Sequence, residues 1–402
     1  MDAGIQDLPE FWRAAPRRWG HSLHSLCSYF AMFPPQLAHF FIDWLTQPGD
    51  AVYDPFAGRG TVCLEAALQG RLGYGSDANP MAVVLTQAKI HVPSRRALFA
   101  RLSKLESGYA SSTVSANDVP DTIAMLYSEQ TLKQLNWLRN ELDRARDVDC
   151  FLIATILGML HANHNKSGPQ GFSISMPNTF AMAPGYVARY IDEHRLQAPE
   201  VDVFAMLRTR LARLDLPAVK LEAGRSWAHD ATASPPPWLI RRRPKLIFTS
   251  PPYLQVIKYG KYNWVRLWFL GETSAAVDQK LMASASLQRY IEFMTSVSAN
   301  LRRIVAEDGY ACLVIGDVRR GDEDLNLAQA VWDGVLREQG WYLHGIIADE
   351  IPQDRKVSRI WKHNSGRATK VDRMLLLSPN EQRLPDVVPP SWGRSTFADI
   401  RK

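Results

Sequence analysis

The chain reads as an α/β protein: a mostly parallel sheet covered by helices and interrupted by a helical insertion. Three observations predict this. Strand, turn and helix alternate between residues 51 and 90; the rhythm resumes after residue 217; between them strand signal is nearly absent. In order, Pro34 to Leu45 has the spacing of an amphipathic helix, opened by two prolines and closed by QPGD. AVYDPFAGRG is a short apolar strand running into a Gly-rich turn, and TVCLEAALQG has helical spacing. RLGYGSDANP gives a second strand ending at Asp77, followed by the helix MAVVLTQAKI.

From Ser94 to Leu216 the spacing predicts helices over Leu126 to Arg146, Cys150 to His161 and Val187 to Leu214, with KSGPQGFSISMPNTFAMAPG as a loop. VKLEAG then reads as a strand, and KLIFTS as a strand entering PPY. Helices are expected over Leu287 to Val305 and Leu327 to Gln339, strands at YACLVIGDV, and a final strand pair at YLHGIIADEI and RMLLLS. The units are thus 1–95, an insertion over 96–216, a second part over 217–378, and a Pro-rich extended tail over 379–402.

Composition excludes several classes. With 402 residues, 46% apolar and 24 Gly, the chain is neither collagen-like nor wholly disordered. Cys27, Cys63, Cys150 and Cys312 form no CxxC pair, which argues against a zinc knuckle or disulfide framework and fits a reducing, cytoplasmic setting. The N-terminus lacks a signal-peptide pattern, and the most apolar run, Phe151 to Leu160, is about half of what spans a bilayer, so no membrane partner is expected. His161-x-x-His164 has ligand spacing without a third ligand nearby, and no metal is expected.

Two strand-end motifs carry chemistry. In DPFAGRGT, glycines let backbone approach a ligand, and Asp77, 17 residues after Gly60, can accept both hydroxyls of a ribose. The third glycine of a dinucleotide fingerprint and a GK[ST] are both missing, which leaves a nucleoside cofactor without pyrophosphate, or simply a tight turn. In Thr249-Ser250-Pro251-Pro252-Tyr253 the prolines fix the backbone and remove two donors. A hydroxyl and an outward carbonyl there can accept both hydrogens of an exocyclic amine while the ring stacks on a base; a strand-closing Pro turn is the other reading.

DPFAGRGT followed by TSPPY resembles the S-adenosylmethionine-dependent amino DNA methyltransferases (N4-cytosine and N6-adenine), and SPPY resembles the N4-cytosine branch. The resemblance covers about residues 20–95 and 217–378 and implies a Rossmann-like class I methyltransferase sheet. By position, it implies cofactor roles for Phe33, Pro34, Asp54, Phe56, Gly58, Gly60, Thr61, Asp77, Asp230 and Thr249. It implies that Ser250, Pro251, Pro252 and Tyr253 engage the amine of a flipped base in double-stranded DNA. N6-adenine, RNA amines and a non-catalytic nucleic-acid-binding module are the alternatives, and a cognate restriction enzyme is a possible partner. The 120-residue insertion departs from the pattern and stands as a candidate target-recognition region.

Charge supports a polyanion. The net +6 hides two basic segments of +7 and +5 on a body of −6. The first holds Arg241, Arg242, Arg243, Lys245, Lys258, Lys261 and Arg266, with Tyr259, Tyr262, Trp264 and Trp268 interleaved. The second, Ile351 to Leu375, includes Arg355, Lys356, Arg359, Lys362 and Arg373. Some of the aromatics, Trp268 and Phe269 above all, also suit a core. Two readings stand for Asn178 and Thr179, DNA contacts or turn residues; Gly316-Asp317 reads better as a strand end than as a pocket border.

Overall fold

Alternating side chains give the central strands two apolar faces, and each face takes its own layer of helices. The computed structural model describes residues 20–29, 33–116, 119–161, 164, 168–176, 182–217, 224–252, 254, 259–282, 284, 286–320, 323–350 and 371–386. The strands are β1 (Ala51–Asp54), β2 (Leu72–Asp77), β3 (Arg225–Ala228), β4 (Leu246–Thr249), β5 (Tyr310–Gly316), β6 (Val318–Arg320), β7 (Glu323–Leu325), β8 (Tyr342–Glu350) and β9 (Val371–Ser378). Seven form one sheet in the order β3-β2-β1-β4-β5-β9-β8. The first five run parallel, while β9 pairs antiparallel with both β5 and β8. This is the expected doubly wound, Rossmann-like arrangement.

On one face Val52, Phe248, Cys312, Val314 and Leu376 pack under helices Pro35–Leu45 and Thr61–Leu68. On the other, Tyr53, Ile247, Leu313, Ile315 and Leu375 pack under helix Leu287–Ile304. The order reverses between β1 and β4: β2 and β3 follow on one side of β1, β4 and β5 on the other. Loops leaving β1 and β4 therefore diverge and open a crevice at their carboxyl ends, where such sheets bind ligands.

The insertion is helical, as expected, with Arg95–Ala110, Glu129–Glu141, Asp147–Leu157, Pro184–His194 and Val203–Arg213. Its core is continuous with its surroundings. Leu102, Leu138, Phe151 and Phe204 join Met81 and Leu85 of helix Pro80–Ile90, Leu23 and Leu26 near the N-terminus, and Trp264 and Phe269.

The single helix expected over Val187 to Leu214 is two. Arg195 adopts a left-handed φ of 47°, and Asp202 restarts the helix by accepting from the Phe204 and Ala205 amides. The strand expected at VKLEAG falls on residues 219–224, of which 219–223 lie outside the described residues; β3 is formed from RSWA directly after it. Of the tail, residues 379–386 are described and lie against the sheet side, where the Trp44 indole donates to the Pro385 carbonyl at 2.9 Å. Among the described residues no helix is long and apolar enough to cross a membrane.

Gly73 in β2 allows helix Thr61–Leu68 to approach: a Cβ there would lie 2.5 Å from the Cys63 carbonyl oxygen. Gly73→Ala is expected to lower the unfolding free energy by about 1–3 kcal/mol, an overpacking cost read by urea denaturation at unchanged m-value.

Candidate cofactor and target site

The two motifs meet through one hydrogen bond. Thr249 Oγ1 at the end of β4 donates to Asp54 Oδ1 at the end of β1, 2.6 Å away, and the Phe56 amide donates to the same oxygen at 3.0 Å. Asp54 and Thr249 are fully buried, and burial pushes the Asp54 carboxyl up to about 7 despite these bonds. Both carry cofactor roles implied by the resemblance; in the structure they clasp the two loops together.

Beyond Asp54 the chain turns through Gly58 (φ 51°) and Gly60 (φ 76°), left-handed conformations that favour glycine. A Cβ on Gly60 would also meet the Thr86 backbone at 2.8 Å, so the loop sits directly on helix Pro80–Ile90. The Gly58 amide donates to Asp77 Oδ2 at 2.9 Å and the Asn79 amide to Oδ1 at 2.8 Å. Among the described residues no cation pairs with Asp77, and burial pushes its carboxyl up to about 6. A carboxylate held by two amides, with lone pairs left over and no counter-cation, suits a neutral diol. These residues fit the ribose of a nucleoside cofactor.

Beneath the loop lies a buried polar layer that sequence reading missed. The His24 Nε2 and His39 Nδ1 atoms flank the Glu65 carboxylate at 2.5 and 2.9 Å and hold it down at about 2, while burial lowers His24 to about 4. Lys89 Nζ donates to the Arg59 carbonyl, and Arg59 reaches the His24 carbonyl at 3.2 Å and Thr61 Oγ1 at 3.1 Å. Thr61 is thus turned to the loop's own support. A His at 24 and a Glu four residues after Thr61 give no periodic signal; only the fold pairs them.

The remaining expected residues divide. Phe33 packs edge-on against Phe248, 5.4 Å between ring centroids, beside the β4 loop, with Pro34 exposed next to it. Phe56 turns toward Phe293 at 5.9 Å. Asp230 is exposed just beyond the end of β3, beside β2, and accepts from the Thr232 amide and hydroxyl, both at 2.8 Å. Ser250, Pro251 and Pro252 follow β4 directly; Tyr253 and Lys258 lie outside the described residues, as do Asn178, Thr179, Arg355, Lys356, Arg359 and Lys362.

Three expectations about the basic segments are corrected. Arg241, Arg242 and Arg243 precede β4, so they sit at the opposite end of that strand from SPPY, about 13 Å of extended chain away, and Arg243 pairs with Glu307. Arg266 is buried, donating to Leu157 O (3.1 Å), Asn263 Oδ1 (2.8 Å) and Ser28 Oγ (2.6 Å). Tyr259 lies not on an outer face but against Tyr29, 5.8 Å between centroids. Lys261 is exposed over the Tyr262 ring at 5.9 Å. As the sequence favoured, Trp268 and Phe269 are core, and Asp317 ends its strand in a bidentate pair with Arg373 at 2.8 and 2.9 Å.

The raised Asp77 carboxyl gives a pH dependence. The folded form holds its proton to about pH 6, whereas an unfolded aspartate releases it near 4, so this group lowers stability as pH rises from 4 to 6. Asp77→Asn removes that slope. Relative to wild type, its unfolding free energy is expected to improve between pH 4.5 and 7.5, measured by urea denaturation at both; an unchanged difference would contradict the assignment.

Residues 6–88 match the family model described as DNA methylase. Type II methyltransferase M.MvaI from Kocuria varians is 30% identical over 129 residues, 29% of this chain and 28% of that protein. Type II methyltransferase M.XycI from Xanthomonas campestris pv. cyanopsidis is 40% identical over 63 residues, 16% and 21% of the two chains. The chain thus spans less than a third of the length of these curated relatives. Among solved structures, TrmN from Thermus thermophilus aligns with a TM-score of 0.33 at 11% identity, covering 87% of this chain and 50% of that one. Over residues 6–88, which include the first strand-end motif, the chain is similar to the DNA methylase family.

Proposed function

We propose that this protein is an S-adenosylmethionine-dependent DNA methyltransferase that methylates the exocyclic N4 amine of a flipped cytosine. The observation that carries the reading is the Asp54–Thr249 hydrogen bond, which sets the glycine loop and the SPPY loop side by side at the switch point. Gly58 and Asp77 supply the backbone approach and diol acceptors for the nucleoside end of the cofactor, with Phe33 bordering the SPPY side. When bound, the cofactor supplies an electrophilic methyl group. Ser250 Oγ and the Pro251 carbonyl accept the two amine hydrogens, drawing the nitrogen lone pair out of conjugation and toward that methyl. With the amine so held, its nitrogen would take that methyl group and shed the surplus proton to solvent.

All four cysteines are buried, and direct transfer to nitrogen requires no cysteine nucleophile. Extruding the base from the duplex requires a few kcal/mol, offset by stacking and hydrogen bonds in the pocket. Lys261 and Tyr262, with Lys258 and the segment around Arg355 to Lys362, form the proposed backbone contacts, making binding steeply salt-dependent. The insertion is the proposed base-reading element, and a restriction enzyme of the same specificity the proposed counterpart.

Incubation with methyl-labelled cofactor and duplex DNA, followed by digestion to nucleosides, tests the reading. Label is expected in N4-methylcytosine; label in N6-methyladenine moves the target to adenine, and unlabelled DNA overturns the assignment. Ser250→Ala should lower kcat by about 10²-fold or more while leaving the cofactor Kd within twofold.

A further inference from the structure

The cofactor cradle has a wall that neither strand-end motif supplies. Tyr29, buried near the N-terminus, lays its ring edge where a Cβ on Gly58 would come within 3.4 Å, and its hydroxyl accepts from Asn79 Nδ2 at 3.0 Å. Asn79 is the residue whose amide also binds Asp77. Against Tyr29, tilted by 34° with centroids 5.8 Å apart, stands Tyr259 from the short helix Tyr259–Tyr262, beyond the SPPY loop. Burial first, and then the Asp77 carboxylate, raises the pKa of both phenols.

The two halves of this wall come from segments 230 residues apart, and one buried side chain joins them. The Arg266 guanidinium binds Ser28, next to Tyr29, and Asn263, whose Nδ2 binds the Tyr259 carbonyl at 2.9 Å. Its third bond, to the Leu157 carbonyl, roots the wall in the insertion.

We infer that Tyr29 and Tyr259 form an aromatic wall of the S-adenosylmethionine site over Gly58 and Asp77, so that a side chain of the short helix Tyr259–Tyr262 is part of the cofactor pocket. This rests on the cofactor reading given above. It removes Tyr259 from the DNA-stacking residues and gives it a ligand of another class, the nucleoside part of the cofactor.

Binding of S-adenosylhomocysteine to the full chain, by calorimetry without DNA, tests the assignment. Tyr259→Ala is expected to weaken binding about five- to tenfold, as loss of an aromatic contact does. Tyr259→Phe should retain wild-type affinity within about twofold, since the ring is kept. Affinity of both variants for duplex DNA, by fluorescence anisotropy without cofactor, should match wild type. If Tyr259→Ala loses its fold by circular dichroism, Tyr259→Leu, which keeps apolar volume, takes its place with the same expectation. Unchanged S-adenosylhomocysteine affinity in a folded Ala or Leu variant, with weakened DNA binding, overturns the wall and returns Tyr259 to the DNA. A wild-type chain that binds no S-adenosylhomocysteine overturns the cofactor reading and the wall together.

Discussion

One buried hydrogen bond, Thr249 to Asp54, fixes the relation on which the site depends. Strands β1 and β4 are neighbours, yet their backbone register covers only Val52 with Leu246 and Tyr53 with Ile247. Within two residues both strands end, β1 at Asp54 and β4 at Thr249, and their loops part. The side-chain clasp takes over where the ladder stops, in a low-dielectric setting that strengthens a well-aligned bond and penalises a missing one. The elevated carboxyl pKa of Asp54 is the mark of the desolvation that this arrangement carries.

A second layer holds the glycine loop from below. Glu65, fully buried, would be costly to ionise without partners, and two imidazoles supply them. Because one imidazole belongs to His24, satisfying this carboxylate also pins the segment that carries Tyr29. Lys89 and Arg59 act from the helix and the loop toward the same point. Loop, first helix and N-terminal segment are thus held by polar contacts that exist only when all three are in place.

Much of the sheet was legible because buried parallel strands announce themselves: AVYD, LIFT and YACLVIG are apolar runs bounded by turn residues, and each is a strand. The strand RSWA was not, since its edge position leaves Arg225 and Ala228 exposed and removes the apolar signature. Local motifs named the loops; the Asp54–Thr249 clasp, 195 residues apart, has no local signal. Charge was the least readable feature. A run of Lys and Arg looked like one surface, but the fold sends Arg241 to Arg243 to the far end of β4, hides Arg266 among carbonyls and leaves Lys261 outside. Composition counts charges without regard to the side of a strand on which they fall.

The core shared by the insertion and helix Pro80–Ile90 has a bearing on how such a chain can change over time. A segment with its own closed core can be exchanged as a cassette between relatives. Here Phe151, Leu138 and Phe204 share a core with Met81 and Leu85, and Leu157 is bonded to Arg266, so removing the insertion would strip the outer side of the helix on which the glycine loop sits. A change in what the insertion contacts is therefore freest at its exposed residues, because its inner surface is shared with helix Pro80–Ile90 and with the segments around Leu23 and Trp264.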